Sequence, residues 1–155
     1  MTLAKGGREA GVLRVIVLAE DLIWATRLVG QLRTLGVVTV RVGSAEAFAA
    51  ALADPAPGAL EDVRPTHAVV DLTARSYDGL AAVRRATAAG LPVLCVGQHD
   101  DHAQRRAALA AGAGRVLAYR KLFEDGHATL AAWLGVPAPA AGSLPLPPSP
   151  KVPAR

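Results

Sequence analysis

Apolar residues along this chain fall into five short runs, each followed by a longer alanine-rich stretch with helical spacing. The first run, Leu13 to Ala19, is apolar apart from Arg14, as expected of a central strand. Behind it, Trp24, Leu28, Leu32 and Leu35 make one stripe of a helix that begins near Leu22, and Gly36 stands where a C-cap belongs. Val37 to Val42 alternates Val38, Val40 and Val42 with Thr39 and Arg41, which predicts an edge strand half open to water. Ser44 is placed to cap a second helix over 45–53, and residues 54–65, with three prolines, read as a loop.

His67 to Asp71 is the third strand. A helix follows from Asp78 or Gly79 to Ala89, with Gly90 at its end, and Pro92 to Val96 is the fourth strand. Asp101 is the expected N-cap of the fourth helix, with Gln104 as capping-box partner and Gly112 as its stop. Arg115 to Tyr119 is the fifth strand, and Phe123 to Leu134 the last helix, stopping at Gly135. Such βα alternation predicts an α/β fold with a parallel sheet and helices on both faces. The flavodoxin-like three-layer (βα)5 sandwich, sheet order 2-1-3-4-5, is the expected form. The domain spans 12–135, after an N-terminal extension over 1–11. Seven of the eleven prolines lie between Pro137 and Pro153, so 136–155 reads as a disordered Pro-rich tail; its P-x-x-P spacings would also suit an aromatic groove.

Composition narrows the function classes. No apolar run approaches the roughly 20 residues of a membrane span, and the N-terminus lacks a signal-peptide core, so a cytoplasmic protein is expected. One cysteine excludes an internal disulfide and a multi-Cys metal site, and Cys95 reads as a small buried hydrophobe. The net charge of +4 would permit a nucleic-acid-binding module, but the basic residues are scattered and the aromatics are few. His99-Asp100-Asp101-His102 contains metal-ligand types, yet at a helix start capping is the better account, and His67 reads as a strand-end residue. No P-loop, Gly-rich dinucleotide turn or catalytic triad is present, and no enzymatic activity is expected.

The candidate chemistry lies at the strand ends. Asp71 ends a strand that reads as buried, at the edge where open α/β sheets bind ligands. In the order 2-1-3-4-5 it lies beside Glu20 and Asp21, which follow the first strand. Three convergent carboxylates repel one another, which suggests a hard divalent cation, Mg²⁺.

In these features the chain resembles the receiver domain of two-component response regulators, over residues 12–135. The matching residues are Glu20-Asp21 after the first strand, Asp71 with Asp78-Gly79 seven residues on, Leu91-Pro92-Val93, and Ala110-Ala111-Gly112-Ala113 before the fifth strand. The resemblance implies that Asp71 accepts a phosphoryl group from a histidine kinase, while Glu20, Asp21 and the Thr73 carbonyl join it in holding Mg²⁺. It also implies a hydroxyl residue ending the fourth strand, a lysine ending the fifth and an aromatic switch within the fifth.

This chain departs at all three places. Gly97 occupies the hydroxyl position, Tyr119 the lysine position and Val116 the switch position; Arg120 and Lys121 are the nearest possible substitute cations. Losing one preorganised donor typically costs a factor of about 10² to 10³ in rate. The chain is therefore read as an atypical, degenerate receiver, similar to a set of bacterial receivers with a Gly-x-His pattern after the fourth strand. The expected function is a single-domain pseudo-receiver in phosphorelay signal transduction that acts through protein–protein contacts. A helix-four, strand-five and helix-five face carrying Arg105, Arg106 and Phe123 would meet a signalling partner or a second copy in a homodimer. The alternative is a true phosphoacceptor at Asp71. No output domain is expected after Gly135.

Overall fold

Strands and helices alternate without exception in the computed structural model, which describes residues 11–53 and 64–138. The order is β1 (Arg14–Leu18), α1 (Leu22–Thr34), β2 (Val38–Val42), α2 (Ala45–Leu52), β3 (His67–Asp71), α3 (Gly79–Ala88), β4 (Val93–Gly97), α4 (His102–Ala110), β5 (Arg115–Ala118) and α5 (Tyr119–Leu134). All pairings are parallel, and the sheet order is β2-β1-β3-β4-β5, the flavodoxin-like arrangement expected from the alternation. The N-terminal extension over 1–10, most of the 54–65 loop and the Pro-rich tail from 139 onward lie outside the described residues.

Both faces of the sheet are covered at its centre, which is why β1, β3 and β4 carry near-continuous apolar runs. Ile16, Leu18, Ala68, Val70, Val93, Cys95 and Val116 pack under Phe48 of α2, Val83 of α3 and Ala108 of α4. Val15, Val17, Val69, Leu94 and Val96 pack on the other side under Trp24, Leu28 and Leu32 of α1 and Leu122, Leu130 and Leu134 of α5. Successive strand residues alternate between these layers, so parity alone assigns a side chain to its face. No helix among the described residues is long and apolar enough to cross a membrane.

Helix starts follow the caps read from the sequence. Ser44 Oγ accepts from the Ala47 amide, Asp78 Oδ1 from Ala81 and Asp101 Oδ1 from Gln104. The expected capping box at α4 does not close: the Gln104 side chain donates instead to the Leu72 carbonyl, at 2.9 Å. Gly36, Gly90 and Gly135 end their helices at positive φ, as does Gly112 at φ 114°, where an added Cβ would lie 2.6 Å from Thr87.

Two expectations are corrected. The valines of β2 do not share one buried face: Val38 and Val40 are exposed, and only Val42 packs against the core, because α2 contributes a single large buried side chain, Phe48. β5 ends at Ala118, and Tyr119 opens α5 four residues before the expected start at Phe123. The first part of that helix hides from hydrophobic periodicity because Arg120, Lys121, Glu124 and Asp125 are exposed, paired as Arg120–Glu124 and Lys121–Asp125.

Candidate functional site

Asp71 shares strand parity with His67 and Val69, so its side chain leaves β3 on the side covered by α1 and α5. It is only 1% exposed. Its Oδ1 accepts from the Thr73 amide at 2.9 Å, from the Thr73 hydroxyl at 2.8 Å and from the Tyr119 hydroxyl. The Thr73 and Tyr119 oxygens are themselves 2.6 Å apart, so two hydroxyl hydrogens serve three close oxygen–oxygen approaches. Oδ2 is buried and has no hydrogen-bond partner among the described residues. The carboxylate is thus tied down on one oxygen and bare on the other.

Tyr119 is held on two sides. Its ring meets Trp24 edge to face at 5.0 Å, and its hydroxyl reaches Asp71. Burial, with the bond to Asp71 second, raises its pKa above the ordinary phenol value, so at neutral pH it is a neutral donor. A second tyrosine supports the site from the opposite face. The Tyr77 hydroxyl is buried and donates to the carbonyls of Asp71 at 2.8 Å and Leu18 at 3.1 Å, clipping together the ends of β3 and β1. Burial, then the nearby Asp71 charge, raises its pKa too.

The other expected site residues are placed nearby but engaged elsewhere. Glu20 is exposed and accepts from the Arg75 amide at 3.0 Å; that bond and the Ser76 hydroxyl lower its pKa. Asp21 is the N-cap of α1, accepting from the Ile23 amide at 2.8 Å. Among the described residues no three His, Cys, Asp or Glu side chains gather as a metal site, a statement that includes His99, Asp100, Asp101 and His102. The residues that the resemblance implies for Mg²⁺ are Glu20, Asp21, Asp71 and Thr73, and as they stand their three carboxylates do not gather into one cluster. Each of the three carboxylates has one oxygen accepting from a backbone amide: Glu20 Oε2 from Arg75, Asp21 Oδ1 from Ile23 and Asp71 Oδ1 from Thr73.

The degenerate positions are also filled. A Cβ on Gly97 would lie 3.2 Å from Gln104 Oε1 and 3.8 Å from Leu72 Cδ1, so Gln104 and Leu72 occupy the space of the missing hydroxyl side chain. Val116 is buried in β5, and its carbonyl accepts from Arg105 Nη1 at 2.9 Å. Neither substitute cation is directed at Asp71: Arg120 pairs with Glu124 at 2.7 Å and Lys121 with Asp125 at 3.5 Å. Phe123, assigned from sequence to the face of α4, β5 and α5, is exposed and has the Arg27 guanidinium of α1 4.5 Å over its ring. Cys95 is buried, and burial pushes its thiol up to about 12.

Sequence reasoning missed three participants. Counting from Gly112 located Tyr119 but not its bond to Asp71, and nothing in the spacing marked Tyr77 or the Thr73 hydroxyl. Trp24 was read only as part of the apolar stripe of α1.

No protein-family model matches the chain, and no curated protein matches it. Solved structures do. A response regulator receiver protein from Burkholderia phymatum is 29% identical with a TM-score of 0.66, over 82% of this chain and 98% of that one. A response regulator from Chloroflexus aurantiacus is 20% identical with a TM-score of 0.63, over 80% of this chain and 98% of that one. The receiver domain of a Pseudomonas aeruginosa sensor histidine kinase, which has a magnesium ion coordinated in its active site cleft, is 19% identical with a TM-score of 0.60, over 80% and 98% of the two chains. With its strand order, its alternating helices and a buried aspartate ending β3, this chain has the fold of response-regulator receiver domains and resembles them in sequence.

Proposed function

We propose that the chain is an atypical receiver of two-component signalling that works as a pseudo-receiver, through protein contacts rather than phosphoryl transfer to Asp71. The observation that carries this reading is the Tyr119 hydroxyl on Asp71 Oδ1, where the resemblance calls for a lysine free to meet an incoming phosphoryl group. A carboxylate nucleophile needs fixed donors and a metal to neutralise the transferring group. Here the donors nearest Asp71 already bond to Asp71 itself, and Gln104 lies over Gly97. Asp21 and Glu20, the carboxylates that would join Asp71 on Mg²⁺, each have one oxygen engaged by a backbone amide. We therefore read the site as a structural tie that fixes the loops after β1 and β3.

On this reading the protein is a non-enzymatic cytoplasmic component that binds a signalling partner, a histidine kinase or a second copy of itself. The face formed by α4, β5 and α5 is the candidate surface, with Leu109 and Arg106 exposed on α4. The second reading, a true phosphoacceptor, draws on the bare Asp71 Oδ2.

Titration with Mg²⁺ and then beryllofluoride, a phosphoryl mimic, while following the amide NMR signals of Asp71, Thr73 and Arg75, separates the two. The pseudo-receiver reading expects no saturable shift with either. A saturable, Mg²⁺-dependent beryllofluoride complex would establish the second.

A further inference from the structure

The segment that carries Tyr119 is built differently from the rest of its helix. Asp125, at φ −145° and ψ 31°, is not helical, so α5 is two pieces: a short arm, Tyr119–Glu124, and a main helix from Gly126 to Leu134. The arm starts after Ala118, which offers no side-chain cap to its amides. The main helix is fixed to the core by Leu130, Ala131 and Leu134, and Gly126 packs directly against Gln31 of α1. The arm has fewer anchors. Leu122 is buried, the Leu122 carbonyl accepts from Gln31 Nε2 at 2.8 Å, and the Tyr119 hydroxyl reaches Asp71, while Arg120, Lys121, Phe123 and Glu124 are exposed.

Among the described residues two buried side-chain polar atoms are unpaired with the arm closed, and both belong to direct neighbours of Tyr119. They are Trp24 Nε1, on the ring that Tyr119 packs against, and Asp71 Oδ2, on the carboxylate that it binds. A buried donor and a buried acceptor without partners raise the free energy of that state relative to one in which water reaches them. The Tyr119 hydroxyl, the buried Leu122 side chain and the Gln31–Leu122 bond thus hold down an arm with a break behind it and unsatisfied groups beneath it.

We propose that Tyr119–Glu124 is a hinged latch, turning about the break at Asp125, which closes over Asp71 and Trp24 through the Tyr119 hydroxyl and opens as a unit. This rests on the reading that Tyr119 closes the acceptor, and it adds how that closure is regulated. Any partner that grips the exposed side of the arm, where Arg27 lies over Phe123, acts on the same element that covers Asp71.

Hydrogen exchange read by mass spectrometry on the full chain tests the latch without any phosphodonor. Peptides over 119–125 are expected to exchange at least several-fold faster than those over 127–134, and Tyr119→Phe to speed the first set several-fold more while leaving the second unchanged. Equal protection along 119–134 overturns the proposal, as does a Tyr119→Phe effect that is absent or spread evenly over both sets. A second readout uses the Trp133→Phe background, in which Trp24 is the only indole: acrylamide quenching of Trp24 should rise on adding Tyr119→Phe, and unchanged quenching counts against the latch. A phosphate adduct on the wild type would sink the pseudo-receiver reading and leave the latch standing. Uniform protection would do the reverse.

Discussion

The hydroxyl of Tyr119, the first residue of α5, donates to Oδ1 of Asp71, the last residue of β3. The contact joins two parts of the chain 48 residues apart and falls where a receiver would keep its lysine. It ties the end of β3 to the start of α5.

Removing that tie should cost stability without disrupting the packing around it. Tyr119→Phe keeps the ring against Trp24 and leaves Asp71 Oδ1 with its two Thr73 donors. Hydrogen bonds to charged groups contribute about 1.5–3 kcal/mol, and with two donors remaining the lower end is expected. Urea denaturation should show a lower midpoint with an unchanged slope. An unchanged midpoint would mean that the contact adds nothing to the folded state.

Gly112 should be among the least replaceable residues of the chain. It combines φ of 114° with a Cβ direction that ends 2.6 Å from both Thr87 Cγ2 and Thr87 Oγ1. A non-glycine residue at positive φ costs roughly 1–3 kcal/mol, and overpacking adds roughly as much again. Gly112→Ala is expected to lower the melting temperature strongly, and adding Thr87→Ala to restore part of the loss, since it relieves the clash but not the backbone. Full restoration by the second substitution would show that φ is unimportant there.

The fold was legible because its signals are local. Uninterrupted apolar runs marked strands buried on both faces, Ser44, Asp78 and Asp101 marked helix starts, and glycines marked ends, so strand order followed from alternation. What failed was tertiary. Gln104 has the spacing of a capping box but finds a better acceptor in the Leu72 carbonyl, which no local rule reports. The start of α5 was hidden because Arg120, Lys121, Glu124 and Asp125 face water, leaving Leu122 as its one buried side chain before the break. At the site, Asp71 could be placed from its strand and Tyr119 from its count after Gly112. That the two are bonded depends on how β5 hands over to α5, and the sequence carries no mark of it.

His67 gives the protein a pH-dependent component of stability. Its ring packs on Trp133 at 5.0 Å, its Nδ1 lies 2.9 Å from the Thr66 hydroxyl, and burial lowers its pKa below the ordinary 6.5. Below pH 6.5 the unfolded chain takes up a proton that the folded chain resists, so this contribution is complete above that value and is lost as pH falls toward the folded pKa. His67→Phe, which keeps an aromatic ring on Trp133, should flatten the dependence of melting temperature on pH in the mildly acidic range. An identical slope in wild type and variant would assign the effect to other groups.

On the proposed reading, Asp71 is closed to phosphoryl transfer by its own neighbours. Intact-mass spectrometry after incubation with acetyl phosphate and Mg²⁺ addresses it directly, with Asp71→Asn alongside the wild type. The account predicts that both keep their unmodified mass; a single phosphate adduct on the wild type, absent from Asp71→Asn, would contradict it.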